Sequence, residues 1–367
     1  MTVYLLAGGG TAGHVNPLLA TADRLRERDP GATVLVLGTA EGLETRLVPE
    51  RGYELLTVPR LPFPRRPGGE LVRFPRRWRA TVRAARAHIR DRQVDVVVGF
   101  GGYASAPAYR SARLEGVPIA IHEANARPGL ANRLGARFTR FVGVTFASTR
   151  LRARVVGFPL RREIEQLDRL ASRPEGMREF GLDERRPVLL VTGGSSGARR
   201  INDTVIASAP DLIGAGWQVL HLSGGLREKI EDPKLHGYHL LEYSDRMDLA
   251  FAAADLAISR AGSGMVSELA AVGLPAVFVP YPVGNGEQAL NAVDALDAGG
   301  AVLVADAAFT PGWVRDELLP MLNDRARIAG MAARIGTVGH RDGADRMVDL
   351  VFEARDSRRS ARPGRDG

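Results

Sequence analysis

Short, continuous apolar runs alternate with helix-patterned stretches along most of the chain, and glycine closes several of the runs. Residues 2–6 are apolar and β-prone and end in Gly8-Gly9-Gly10-Thr11-Ala12-Gly13. Pro17-Leu18-Leu19-Ala20 then opens a helix to about Arg28, and residues 33–38 form the next run. The rhythm returns at residues 94–99, 119–122 and 141–144. It starts afresh at 187–194 and continues through 217–222, 256–259, 276–280 and 301–304. Runs that are apolar on both faces and spaced by helices predict parallel sheets in an α/β fold. Two such series predict two tandem Rossmann-like domains facing a cleft. Proline and glycine interrupt the pattern near Val155-Val156-Gly157-Phe158-Pro159. The expected domains are therefore 1–157 and 158–342, with a helix over about 343–356 packing back on the first and a polar, disordered tail over 357–367.

At 367 residues the chain can bury two cores. It contains no cysteine, which excludes disulfides, thiolate metal sites and a cysteine nucleophile, and fits a reducing cytoplasm. The first residues lack a basic leader, so no secretory signal is expected. The long uncharged run 269–286 is broken by Pro275, Pro280 and Pro282, so no helix is expected to cross a bilayer. Any membrane contact must then be peripheral. The net charge of +8 is unevenly placed: residues 1–150 carry +11 and the remainder −3. Residues 60–92 hold 11 arginines and only two acids, Glu70 and Asp91. A basic surface so concentrated points to an anionic partner, either a nucleic acid or an acidic lipid face.

Gly8, Gly10 and Gly13 satisfy G-x-G-x-x-G between a strand and a helix, where backbone N–H groups and the helix dipole favour an anion. A dinucleotide site also needs an acid at the tip of the second strand. Gly38-Thr39-Ala40 stands there, with Glu41 already in the loop, so the fit is poor. A Walker A loop is excluded, because no Gly-Lys-Ser/Thr exists. Three further glycine loops follow apolar runs: Gly99-Phe100-Gly101-Gly102-Tyr103, Gly193-Gly194-Ser195-Ser196-Gly197-Ala198-Arg199 and Arg260-Ala261-Gly262-Ser263-Gly264. Any one alone is a tight turn as readily as a site. Four, on both halves, favour phosphate binding on each half. His14 is a helix-cap or packing histidine, or else a phosphate ligand or general base. His122-Glu123-Ala124-Asn125 sets polar groups at the end of an apolar run, in a structural or a functional role. Glu268, placed in the first turn of its helix, answers either to the dipole or to a ribose. His88, His221, His236, His239 and His340 show no ligand spacing, and no Asp-x-Asp pair occurs, so neither a metal nor a cofactor is expected.

These segments resemble the MurG-type transferases, which convert lipid I to lipid II in peptidoglycan synthesis and so serve cell shape and division. The resemblance rests on Gly9-Gly10-Thr11-Ala12-Gly13-His14-Val15, Gly99 to Tyr103, Ile121-His122-Glu123-Ala124-Asn125 and Gly157-Phe158-Pro159-Leu160-Arg161. It continues through Gly193 to Arg199, Gly262 to Pro275 and Gly286-Glu287-Gln288-Ala289-Leu290-Asn291-Ala292, all in the family's order. It implies a glycosyltransferase B fold and an inverting, metal-free transfer of N-acetylglucosamine from its UDP donor. By resemblance, Ser195 and the following N–H groups hold the diphosphate, with Arg161 nearby. Ser263, Gly264, Met265, Val266 and Ser267 wrap the nucleotide, Ser244 flanks the uracil, Glu268 takes the ribose and Gln288 grips the sugar. Thr11, Ala12, Gly13 and Asn125 reach the donor from the other domain. Gly10, Gly13, Gly101, Gly102 and Tyr103 meet the lipid diphosphate, as do Thr11 and Ala12. His14 is the candidate catalytic base for the acceptor's 4-hydroxyl. The chain departs from the family's habit at Ala12, Phe158, Ser196, Ser244 and Glu287, none of which removes a group the chemistry requires.

The resemblance gives the basic segment a meaning. Phe63, Phe74 and Trp78, interleaved with Arg76 and Arg77, would form a face seated on the anionic inner membrane, placing the enzyme peripherally on the cytoplasmic side. The alternative is an ordinary amphipathic helix with a solvated arginine face. The partners implied are UDP-N-acetylglucosamine, lipid I, the membrane surface and other cell-wall synthesis proteins. Nucleic acid is not expected, since no binding motif accompanies the arginines. Two relatives by fold compete. A transferase acting on a small aglycone would not need the first-half loops with His14, and a UDP-sugar epimerase would be expected to add catalytic carboxylates.

Overall fold

The structure, a computed structural model, describes residues 1–64, 68–225, 230–283 and 286–360. Arg65 and Arg66 of the basic segment, and residues 361–367 of the expected tail, lie outside them. The chain divides into two compact units: Met1–Arg161 with the segment from Asp342 onward, and Arg162–Arg341.

Among its described residues the first unit holds seven parallel strands: β1 (Val3–Ala7), β2 (Thr33–Gly38), β3 (Glu54–Thr57), β4 (Val96–Gly99), β5 (Ile119–Glu123), β6 (Phe141–Val144) and β7 (Arg154–Val155). Their order across the sheet is β3-β2-β1-β4-β5-β6-β7. Five helices connect them: α1 (Ala12–Arg28), α2 (Glu44–Glu50), α3 (Gly69–Asp91), α4 (Ser105–Glu115) and α5 (Leu130–Gly135). Successive side chains of β1 point to opposite faces. Tyr4 and Leu6 pack with Val15 and Leu18 of α1, and with Met347, Val348 and Val351 of the last helix. Leu5 and Ala7 pack with Ala85 and Ile89 of α3 and with Ala108 and Tyr109 of α4. The C-terminal helix, Gly343–Ser360, is thus a structural layer of the first unit, anchored also by an Arg24–Asp345 ion pair. It continues through residues 357–360, where the polar composition predicts disorder.

The second unit holds β8 (Val188–Thr192), β9 (Gln218–Leu222), β10 (Tyr238–Leu241), β11 (Leu256–Ser259), β12 (Ala276–Phe278) and β13 (Ala301–Leu303). Again all pairings are parallel, in the order β10-β9-β8-β11-β12-β13. Its core joins Leu189 and Val191 of β8 to Trp217, Phe309, Met321 and Met331.

Each unit seals one histidine in its interior. His122 lies between Phe100 and Phe158, with ring centroids 5.9 and 6.1 Å away, and its Nε2 donates to the Gly157 carbonyl at 3.0 Å. His221 bridges the Tyr238 hydroxyl at 2.6 Å and Asn202 Oδ1 at 3.1 Å. Burial lowers both from the usual 6.5 to about 4. The unfolded chain therefore binds more protons below pH 6.5, and the stability contributed by the neutral rings is lost as the pH falls towards 4, by on the order of 3 kcal/mol for each. Glu123 in the first unit and Asp294 in the second, both raised by burial, oppose this trend, so the test compares a variant with its parent. Between pH 7 and pH 4.5 the unfolding transition of the second unit should shift down markedly less in His221→Gln than in the parent. Equal shifts would show that His221 does not carry the acid sensitivity.

Candidate active site

The strand order decides what the glycine loops can do. β1 and β4 are sheet neighbours although α1, β2, β3 and α3 lie between them in sequence, so the chain leaves β1 on one side and returns on the other. The same reversal separates β8 from β11. Open parallel sheets bind ligands beyond the carboxyl ends of their strands at this kind of switch point. All four glycine loops lie there: those after β1 and β4 in the first unit, and those after β8 and β11 in the second.

In the first unit the two loops touch through backbone. Gly102 has φ +81°, and a side chain there would put its Cβ 2.4 Å from the Gly9 carbonyl oxygen, so only glycine fits. Ser105 ties the pair together, its hydroxyl shared between the Ala7 and Gly101 carbonyls at 2.8 and 2.7 Å. Thr11 is the extended residue before α1, and Ala12, Gly13 and His14 form the first turn, which carries no acid. His14 is half-buried, with Thr11 Oγ1 3.3 Å from its Nδ1 and Gly101 against the imidazole edge. Burial holds its pKa below the ordinary histidine value, opposed by the Gly9 backbone and the Glu44 charge. The ring is therefore neutral near pH 7. Tyr103 is partly exposed, with the Arg60 guanidinium 4.9 Å from its ring centroid.

Glu44 was not expected here. It stands on α2 with 1% exposure and returns its carboxylate to the first glycine loop. Oε2 accepts from Gly10 N at 2.8 Å, and Oε1 from Thr39 N at 3.0 Å and Thr39 Oγ1 at 2.8 Å. The carboxylate is held below its usual pKa because these N–H and O–H donors outweigh its desolvation. The Gly10 N–H, expected to face an acceptor phosphate, is thus already engaged.

His122 and Glu123 are structural. Glu123 is 3% exposed and accepts from Asn125 N, Gly129 N and Asn132 Nδ2 at 2.9, 3.0 and 3.0 Å, pinning residues 125–129 over the end of β5. Asn125, half-exposed, sits in the turn so formed. Arg161 is half-buried at the end of the first unit.

In the second unit Ser195 is exposed in the loop after β8. That loop rests on Ser223-Gly224-Gly225 after β9, a support the sequence reading missed: Gly225 N donates to the Ser195 carbonyl at 3.1 Å. Gly224, at φ +75°, would place a Cβ 2.3 Å from Gly197 N. Asn202, held by His221, fixes the turn by donating to the Ser223 carbonyl at 2.9 Å. After β11, Gly262 is the extended residue before the helix Ser263–Val272. Gly264, Met265 and Ser267 are half-buried, Ser263 and Glu268 buried, and Val266 belongs to the core, so only its backbone can face a nucleotide. Glu268 stands in the second turn, not the first, so the dipole alone does not explain it. Gln288 Oε1 accepts from Tyr281 N at 2.8 Å. Asn291, on the same short helix, donates to the Ala261 carbonyl at 3.2 Å and so holds Gln288 beside the β11 loop. Ser244 Oγ accepts from Arg246 N at 3.1 Å, so its hydroxyl shapes a turn.

Residues 4–144 match the glycosyltransferase family 28 N-terminal domain, and residues 188–347 the family 28 C-terminal domain. The UDP-N-acetylglucosamine–N-acetylmuramyl-(pentapeptide) pyrophosphoryl-undecaprenol N-acetylglucosamine transferase of Leifsonia xyli subsp. xyli is 64% identical over 352 residues, covering 96% of this chain and 98% of that one. The chain belongs to the MurG family. The crystal structure of Acinetobacter baumannii MurG superposes with a TM-score of 0.78 at 27% identity, over 96% of this chain and 100% of that one. A calicheamicin glycosyltransferase, at 18% identity and a TM-score of 0.66 over 98% of this chain and 100% of its own, shares the fold alone. The two Rossmann-like units are thus those of a glycosyltransferase B fold.

This MurG-family member carries its basic segment on α3, which is buried only through Thr81, Val82, Ala85 and Ile89. Phe63, Phe74 and Trp78 cluster with one another at centroid distances of 5.2 to 6.3 Å, and Phe74 and Trp78 are half-buried by doing so. Leu71 and Val72, 52% and 82% exposed, are the outermost apolar side chains, beside the exposed Arg73, Arg76 and Arg77. Among the described residues no helix is long and apolar enough to cross a membrane.

Proposed function

We propose that this chain transfers N-acetylglucosamine from UDP-N-acetylglucosamine to the 4-hydroxyl of the N-acetylmuramyl-pentapeptide of lipid I, forming lipid II. The observation that carries the reading is near-full-length identity to that transferase in a chain whose glycine loops meet at the switch points of both sheets. The second unit holds the donor. The N–H groups after Ser195 and at the start of the helix Ser263–Val272 take the diphosphate, to which the resemblance also assigns Arg161; Glu268 takes the ribose hydroxyls, and the Gln288 amide takes the sugar. The resemblance leaves uracil selection near Ser244 largely to backbone. The first unit holds the acceptor. With Gly10 occupied by Glu44, the lipid diphosphate falls to Ala12, Gly13 and the loop Gly101-Gly102-Tyr103. The resemblance assigns Asn125 and the Thr11 turn to the sugar as well.

The chemistry follows from charge. A His14 tautomer with its proton on Nδ1, towards Thr11, leaves Nε2 to accept the proton of the 4-hydroxyl. The oxygen attacks the anomeric carbon opposite the departing UDP, and the configuration inverts. Negative charge grows on the diphosphate as the glycosidic bond breaks, where preorganised N–H donors and Arg161 stabilise it. Incubation with UDP-N-acetylglucosamine and a lipid I analogue should yield a β-linked disaccharide. An α linkage, or transfer to a soluble aglycone in preference, would contradict the reading.

Because the acceptor is lipid-linked, the reaction takes place at a membrane. Leu71, Val72 and Phe63 enter the anionic inner leaflet from the cytoplasmic side, and the α3 arginines contact its headgroups. Burying one such apolar side chain is worth up to about 1.5–3 kcal/mol. The double change Leu71→Ser, Val72→Ser should therefore lower partitioning onto phosphatidylglycerol vesicles by about tenfold or more. Unchanged flotation would remove this face from the account.

A further inference from the structure

Glu44 ties two loops of the first unit together. The residue is 1% exposed, and besides its own backbone the donors to its carboxylate belong to the two strand-end loops, after β1 and β2. Through Gly10 N it fixes the turn whose next residues are Thr11 to His14. Gly9, beside it, carries the second loop through the close Gly9–Gly102 backbone contact. The space around the carboxylate is matched to its shape: a side chain at Gly9 would put a Cβ 2.3 Å from Glu44 Oε1, and one at Gly42 1.9 Å from Oε2. From the geometry we infer that Glu44 is a positioning residue for transfer. It locks the β1 loop in the form that aims His14 at the acceptor hydroxyl and reserves Gly10 N–H from phosphate. The inference rests on the assignment of His14 as base.

Two properties of the carboxylate are separable. One is reach: two oxygens must each accept, so an amide in its place turns one acceptor into a donor facing an N–H or an O–H. The other is charge, since Glu44 is a charged side chain that bears on His14, beside which Thr11, Gly101 and the Gly9 backbone also lie. Removing the charge should let the imidazole titrate lower still.

The experiment compares Glu44→Gln and Glu44→Asp with the parent, using a lipid I analogue and UDP-N-acetylglucosamine, with UDP binding to the second unit measured in parallel. Both variants should lose about tenfold to a hundredfold in kcat, as expected for losing a hydrogen bond to a charged group. Donor KM and UDP affinity should stay as in the parent. The acid limb of kcat/KM should move to lower pH in Glu44→Gln and stay in place in Glu44→Asp, a split that a merely structural role would not produce. The proposal is overturned if Glu44→Gln turns over within twofold of the parent, if its acid limb does not move, or if UDP binding falls with turnover. Absence of transfer by the parent would instead overturn the reading of the reaction, whatever Glu44 does.

Discussion

Replacing His14 by alanine should lower kcat for transfer by about 10²- to 10⁴-fold, the range for a single general base, while UDP-N-acetylglucosamine KM stays within about a factor of two. The expectation follows from placement. His14 stands in the first turn of α1, against Gly101 of the neighbouring loop and beside Thr11, in the unit assigned to the acceptor. Burial lowers its pKa below 6.5, so the ring is neutral near pH 7. The parent's acid limb in kcat/KM should accordingly fall below pH 6.5, and His14→Ala should lose that limb along with its rate. A variant that keeps kcat and loses only acceptor affinity would make His14 a phosphate ligand instead.

Glu268→Ala should fail in the opposite sense. Its carboxylate is 7% exposed in the second turn of the helix Ser263–Val272, beyond the reach of a simple dipole explanation. If it takes ribose hydroxyls, its loss removes charge-assisted hydrogen bonds worth about 1.5–3 kcal/mol each. Donor KM should then rise by about a hundredfold, with saturated kcat within a few-fold of the parent. Steady-state kinetics with varied UDP-N-acetylglucosamine, checked by UDP titration, separates the outcomes. A fall in kcat at unchanged KM would assign Glu268 to the chemical step.

The ten apolar runs read from the sequence correspond to the strands with buried faces, because burial on both sides leaves a continuous hydrophobic signature. β3, β7 and β10 escaped it. They are short edge strands carrying Glu54, Arg154 and His239, whose partial exposure dilutes the pattern. Strand order was not legible either, since uniformly apolar runs carry no pairing label. The sequence thus showed four glycine loops but not that β1 neighbours β4 and β8 neighbours β11, which brings those loops to the switch points. Glu44 escaped for the same reason: it lies 34 residues from the Gly10 N–H it holds, and only the β1–β2 pairing makes that distance short. A carboxylate four residues after the turn Gly38-Thr39-Ala40 was visible, but nothing local marked it as buried. Ser223-Gly224-Gly225 was a fifth such loop after an apolar run and could have been found by the rule that found the others.

The most direct test of the central claim is transfer of radiolabelled N-acetylglucosamine from its UDP donor to a short-chain lipid I analogue by the intact chain, with UDP release followed in the same tube. The account expects label in the lipid product and UDP in equal amounts, both dependent on the acceptor. UDP binding with no label reaching lipid I, under conditions where the Leifsonia relative transfers it, would contradict the account.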